Sequence, residues 1–369
     1  MAPASGCGGH AAVASADPRG AMTTASPAWP VAVRDEDELE KLLSRPSAAD
    51  VDFARALAGD VVVLGAGGKM GPSLARRVRR ALDAAGSSRR VLAVARFSDS
   101  TLAASLQRDG IETLACDLLD PAQVARLPRV ENVLFLAGRK FGSSGRPDLT
   151  WAQNVVVPAI VAAHFAASRI VVFSSGNVYP LVPPGSPGST EDDPLGAVGE
   201  YAQTCVGRER VFEHAARERG TPCLLFRLFY AVDLRYGTLV DLARSVHAGE
   251  PVDLRAGHVN ALWQGDALSY ALRSLVLCDA PPPALVVTGP EVVSVRAAAE
   301  LFGKRFGKRV SLTGEPGPAL LGDPARCVSR LGAPEVTLDR LLEWVASWVE
   351  QGGRSLGKPT HFESTDGRF

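Results

Sequence analysis

The sequence contains no apolar run of about 18 residues, the length a membrane-spanning helix needs. It has no excess of charge of either sign: Lys+Arg and Asp+Glu are both 40, and the formal net charge is zero. Neither nucleic acid nor an acidic membrane is therefore an expected partner. The basic cluster ARRVRR at 75–80 has the spacing of the wet face of a helix. The six cysteines (Cys7, Cys116, Cys205, Cys223, Cys278 and Cys327) are dispersed, without a CxxC pair or a metal-like spacing to histidine. This excludes a sequence-encoded metal site and fits reduced thiols in a cytoplasmic setting. Internal repeats are absent. The first 21 residues lack the apolar stretch of a signal peptide. They read as disordered, or as sequence upstream of a start at Met22.

What is present is ample core-forming material. The 369 residues are 46% hydrophobic and 22% charged, which suits two domains or one large domain with an appendage. From residue 60 the pattern alternates. DVVVLGAGGKMG (60–71) is a β-branched run ending in glycines. PSLARRVRRALDAAG follows with helical period, Pro72 in its first turn and Gly86 past its end. Strands are expected at 91–96, 111–116, 132–138, 169–175 and 222–228, with helices at 101–110, 121–127, 150–168 and 200–220. The strands are near-continuous apolar runs, as in a parallel sheet buried on both faces. The fold class is α/β: a doubly wound parallel Rossmann-type sheet with a smaller C-terminal substrate-binding cap.

The expected divisions follow from this rhythm. Residues 1–33 form a disordered N-terminal segment and 34–58 a helical extension. Residues 59–230 form the dinucleotide-binding domain, with a return segment at 259–289. Residues 231–258 and 290–352 form the cap, and 353–369 a tail without a clear reading.

Gly65, Gly68 and Gly71 have the spacing GxxGxxG between the first strand and the first helix. In that context glycine permits a tight turn and close approach of the backbone to a pyrophosphate, over the free N–H groups of the helix start. The second strand ends in Arg96, where an acid would favour NAD. An arginine suits the 2′-phosphate of NADP, and Lys69 in the loop would add charge. NADP is thus expected in preference to NAD. Asp117, after the third strand, is placed to accept from an adenine amino group, or to cap the helix near Pro121.

Taken together, the glycine loop, CDLLD (116–120), VLFLAG (133–138), the helix holding Asn154, FSSGNVYP (173–180), Tyr201 and VNALWQGDALSYAL (259–272) resemble the extended short-chain dehydrogenase/reductase family, the NAD(P)-dependent epimerase/dehydratase group. The resemblance covers roughly residues 60–350. It implies cofactor contacts at Gly65, Gly68, Lys69, Met70, Gly71, Arg96, Asp117, Leu118, Leu136, Ala137, Gly138 and Asn154. It also implies a proton-transferring tyrosine at Tyr201 and an orienting hydroxyl at Ser175. The implied substrate is a small molecule with a polar carbonyl or secondary alcohol, a sugar or sugar nucleotide. Homodimerisation through the helices 150–168 and 200–220 is a further family expectation.

The sequence departs from that family in three places. A sugar 4,6-dehydratase needs an Asp-Glu pair after the Ser/Thr; here Gly176 and Asn177 stand there, and neither transfers a proton. The cap segment RLFYAVDLRYG (227–237) is unusual, with Arg227, Arg235, Tyr236, His258, Asn260 and Trp263 as candidates to line a pocket. The largest departure is Cys205, four residues after Tyr201, where the family has a lysine. That ammonium bonds the nicotinamide ribose and lowers the tyrosine pKa; a neutral thiol does neither. Tyr201, Cys205 and Arg208 share one helix face at i, i+4 and i+7. Arg208 is a candidate substitute, reaching back past small Cys205; the alternative is a surface pairing with Glu209 or Glu213. Cys205 as a nucleophile has no visible activating group other than Arg208 or a bound nicotinamide ring. The alternative reading is a cofactor-binding sensor or regulatory protein that has lost turnover.

Overall fold

Val61–Leu64 (β1) is four apolar residues, all buried, and it lies at the centre of the main sheet. Val61 and Val63 pack on one face and Val62 and Leu64 on the other. Each such side chain contributes about 1.5–3 kcal/mol on full burial. The computed structural model describes residues 29–140, 145–358 and 360–364.

The other strands are β2 (Val91–Ala95), β3 (Glu112–Ala115), β4 (Asn132–Phe135), β5 (Arg169–Ser175) and β6 (Cys223–Leu228), with a seventh at Ala284–Val287. All pair in parallel, in the order seventh-β6-β5-β4-β1-β2-β3. The expected doubly wound sheet is therefore present, and the order reverses at β1 and β4. That reversal opens a crevice at the carboxyl ends of the strands.

The helices cover both faces. In the N-terminal extension, α1 (Glu36–Leu43) and α2 (Ala48–Ala56) are each capped by an acid or serine. Next come α3 (Gly71–Ala84), α4 (Ser100–Arg108) and α5 (Pro121–Val124). The helix expected at 150–168 is broken into α6 (Pro147–Trp151), a π-helical turn (Ala152–Val156) and α7 (Val157–His164). Pro158 explains the break. It has no N–H for the carbonyl one turn earlier, and its ring crowds that carbonyl; the widened turn absorbs both and carries Asn154. The helix expected at 200–220 is α8 (Gly199–Arg219), closed by left-handed Gly220.

Beyond β6 lie α9 (Thr238–Ala248), α10 (Gln264–Arg273), α11 (Val295–Phe306), α12 (Ala325–Leu331) and α13 (Leu338–Glu350); α10 and α12 pack on the sheet's core, while α9, α11 and α13 build the cap. Short strand pairs at 230–232 with 261–263, 258–259 with 293–294, and 252–253 with 312–313 stitch it together. These two- and three-residue strands, and α12, are too short to show a period in the sequence. The cap has its own core around Trp263, Trp344 and Trp348.

The extension spans both units. Leu39, Leu42 and Leu43 enter the cap core, and Ala54 and Leu57 the core under α3. Buried Asp50 fastens it, accepting from Arg77 on α3 and from Ser269 on α10 (2.8 and 2.6 Å). Of the segment 1–33, residues 1–28 lie outside the described residues, Trp29 meets Trp344 edge-on, and Val33 is buried.

Candidate functional site

Two cavities share Leu136 and Gly138 at the carboxyl end of β4, and together they run along the crevice. The first, of about 270 Å³, lies over β1, β2 and β3. Gly65, Gly67, Gly68, Arg96, Asp117, Leu118, Ala137 and Gly138 line it. Gly65 has φ +91, and a Cβ there would stand 2.7 Å from the Ala137 amide nitrogen. Only glycine satisfies both constraints, and its absent side chain leaves the turn open to a ligand. The non-glycine residue Phe97 is held at φ 45, immediately after Arg96. Asp117 accepts from the Leu119 amide at 3.0 Å, while Asp120, not Asp117, caps the helix at Pro121. Asp99 caps α4. Gly71 faces away: a Cβ there would meet the Ala66 backbone at 2.6 Å, so its role is to let α3 approach the loop.

The second cavity, of about 220 Å³, lies over β4, β5 and β6, beneath the segment 228–238 and the tail residue Thr360. Tyr201 and Ser175 line it, as do Met70, Lys69 and Arg208. The loop lysine therefore departs from expectation. It does not join Arg96; its ammonium lies 3.2 Å from the centroid of the Tyr236 ring. The Tyr236 ring and the carboxylate of Asp233 attract it to the cap side of the crevice. Burial outweighs the nearby Asp233 and pushes the amine down to about 7.

Ser175 ends β5 and caps the short helix Gly176–Val178. Its hydroxyl donates to Asn177 Oδ1 at 2.9 Å and is also hydrogen-bonded to Tyr201. Burial pushes the Tyr201 phenol well above the usual tyrosine range; the adjacent Cys205 adds to this, while Arg208 and the Ser175 hydrogen bond oppose it. The buried Cys205 thiol is pushed up too, chiefly by burial, with Arg208 and Lys140 opposing. A thiol so placed stays protonated.

Arg208 turns inward. It is 5% exposed, donating from Nη1 to the Phe173 carbonyl (2.6 Å) and from Nη2 to Asn154 Oδ1 (2.8 Å). Glu209 and Glu213 do not compete for it, because Glu209 pairs with Arg227 and Glu213 with Arg210. Asn154 is buried behind the cleft, donating to the Arg139 carbonyl and to Thr204 and accepting from the Arg139 amide. A Cβ at Gly138 would stand 2.4 Å from Arg208 Nη2, so this glycine is what admits the guanidinium. Arg208 Nε is buried and has no hydrogen-bond partner among the described residues.

Of the cap residues expected to line a pocket, only Tyr236 does. Arg227 is drawn to Glu209 and Tyr179, Arg235 to Asp233, and Asn260 to the Gly322 carbonyl. Trp263 is buried in the cap core, and His258 sits in a short strand. Lys140 is a site residue that sequence reasoning missed. It follows β4 by five residues, and its ammonium lies 5.7 Å from the Tyr201 ring centroid. Burial pushes it down to about 8, with Cys205 and Asp241 opposing. The readable signal was the pair Arg139–Lys140 at the carboxyl end of a central strand. Thr360 was also missed: buried in the tail, it donates to Asp241 from both its amide and its hydroxyl, at 2.7 Å each.

Among the described residues there is no cluster of metal-ligating side chains, and no helix is long and apolar enough to cross a membrane. No curated protein sequence matches this chain. Among solved structures, Pal from Bacillus thuringiensis is similar at 16% identity (TM-score 0.65; 79% of this chain, 99% of that one). DesIV, a dTDP-glucose 4,6-dehydratase from Streptomyces venezuelae, is similar at 18% identity (TM-score 0.66; 79% and 97%). A UDP-glucose 4-epimerase from Thermotoga maritima is similar at 15% identity (TM-score 0.64; 79% and 99%). At these identities the likeness is one of fold. Residues 61–255, more than half of the sequence, match the family model described as the NAD dependent epimerase/dehydratase family. The sheet order, the glycine loop and that match agree, and the chain belongs to the NAD dependent epimerase/dehydratase family.

Proposed function

We propose that the protein is an NAD(P)-dependent oxidoreductase or epimerase acting on a secondary alcohol or carbonyl of a sugar-like small molecule. The observation that carries this reading is the convergence of Tyr201, Ser175 and Arg208 on one cavity continuous with the glycine-loop crevice. The residues fit a dinucleotide. The turn at Gly65 leaves the backbone bare, and Arg208 Nε presents a buried donor in need of an acceptor.

Gly65, Gly68 and the start of α3 would hold the pyrophosphate, and Asp117, Leu118, Leu136 and Ala137 the adenosine and the adjoining wall. Arg96, exposed at the mouth of the first cavity, would select a 2′-phosphate and hence NADP. A nicotinamide held there would supply hydride exchange at the substrate carbon. Tyr201 gives a proton to, or takes one from, the oxygen on that carbon, and Ser175 holds the oxygen in line. A phenol raised by burial is a ready donor toward an alkoxide, which suits carbonyl reduction. Arg208 stabilises the phenolate in the reverse direction, and compact Cys205 leaves room for it. The exposed Trp151 and Val156 on the 147–164 helical segment suit a homodimer face. The setting remains the cytoplasm suggested by the dispersed thiols.

The test is titration of the purified protein with NADP(H) and NAD(H), followed by nicotinamide fluorescence, beside Tyr201→Phe and a panel of sugars and sugar nucleotides. Binding with hydride exchange that falls by about 10²–10⁴-fold in Tyr201→Phe is the expected result. Binding without exchange across the panel would replace the enzyme with a cofactor-binding sensor. Absence of binding by both cofactors would overturn the reading altogether.

A further inference from the structure

We propose that the substrate carries a compact oxyanion, a carboxylate or a phosphate, and that Lys69 and Lys140 hold it beside Tyr201. The proposal rests on reading the Tyr201 cavity as the substrate site.

The cavity's charge is one-sided. Lys69, Arg139, Lys140 and Arg208 line it, and among the described lining residues there is no Asp or Glu. Arg208 is committed to Asn154 and the Phe173 carbonyl, so its position is fixed by the fold. The two lysines come from different loops, after β1 and after β4, and each brings its ammonium group toward a tyrosine ring of the lining, Tyr236 and Tyr201. Lys140 opposes the charged form of Lys69, and an anion between the two ammonium groups offsets that repulsion.

The arrangement predicts a proton count. Lys69 is faced by Asp233 from the segment after the short strand 230–232, Asp241 from α9, Lys358 from the tail, Lys140, and the Tyr236 ring. Lys140 is faced by Tyr201 and Cys205 from α8 and by Asp241. With the amines pushed down to about 7 and about 8, part of each is neutral near pH 7.5. An oxyanion favours the charged form, so binding takes up protons. Affinity is greatest below pH 7 and falls as the pH rises through about 7 to 8.

The experiment is calorimetric titration of the full-length protein with inorganic phosphate and, separately, with a small hydroxy acid such as glycerate. It is run in two buffers of different ionisation enthalpy, with Lys69→Met, Lys140→Met, Lys140→Arg and the surface control Lys304→Met. At pH 7.5 at least one probe should bind with net proton uptake. Each methionine variant should weaken it about tenfold or more, while Lys140→Arg and Lys304→Met retain it. Which probe binds tells a phosphate from a carboxylate. Binding of neither probe, or equal binding by wild type and both methionine variants, overturns the proposal. The readout needs no turnover. Oxyanion binding without hydride exchange would therefore sink the catalytic reading alone, and exchange on neutral sugars with unchanged KM in Lys69→Met would sink the oxyanion site alone.

Discussion

At the β1–β3 end of the crevice part of the wall is bare backbone, at Gly65, Gly67, Gly68 and Gly138, beside side chains such as Asp117 and Leu118, with Arg96 exposed at the rim. At the β4–β6 end the walls are side chains: two lysines, two arginines, three tyrosines and two serines among them, drawn from the glycine loop, the β4 loop, β5, α8, the cap and the tail. A backbone wall needs only that side chains be absent, and local turn geometry secures it. A side-chain wall needs distant segments to arrive together. The first end is therefore suited to a ligand common to many proteins, and the second to one particular to this chain.

The strongest way to break this contrast is Arg208→Ala. It removes a cation from the side-chain end and strips donors from Asn154 and the Phe173 carbonyl. Hydride exchange should fall by about 10²-fold or more. Thermal unfolding should show a loss of about 3 kcal/mol, from two charge-assisted hydrogen bonds. Arg208→Lys should recover part of the exchange; full turnover in the alanine variant would remove Arg208 from the mechanism. Gly65→Ala attacks the backbone end instead. Its Cβ has no room against Ala137, and φ +91 strains any other residue, so fluorescence titration should show cofactor affinity reduced by about 10²-fold, with a stability loss of about 1–3 kcal/mol.

Arg96→Ser sharpens the comparison within the backbone end. Loss of one charged pair should weaken NADPH by about tenfold and leave NADH within about twofold; equal loss for both would mean that Arg96 reads no 2′-phosphate. Asp241→Asn is the smallest perturbation. It keeps an acceptor for Thr360, so exchange rates should change less than about threefold, while the calorimetric proton uptake should rise as the amines lose an opposing carboxylate.

How much was legible in the sequence follows the same division. The glycine spacing and the strand runs could be read because each is a local pattern with a fixed period, whereas Tyr201 and Ser175 were reached through the resemblance to family motifs. The inward turn of Arg208 could be posed from i, i+7 spacing but not decided, because Glu209 was an equally near partner until Arg227 arrived from β6 to claim it. The direction of Lys69 could not be read, since a loop side chain points where its turn sends it. Thr360 gave no signal, and Lys140 only its place beside Arg139 after a central strand. They belong to the cavity only because β4 lies next to β5 and because Asp241 pins the tail.

By itself the sequence determined the α/β class, the alternation of strands and helices, and the cysteine at position 205. These rest on periodicity and on residue identity, which need no partner in space. Only the tertiary structure decided what stands around Tyr201. Burial sets the protonation of its neighbours, and burial is a property of the packed chain rather than of any segment of it.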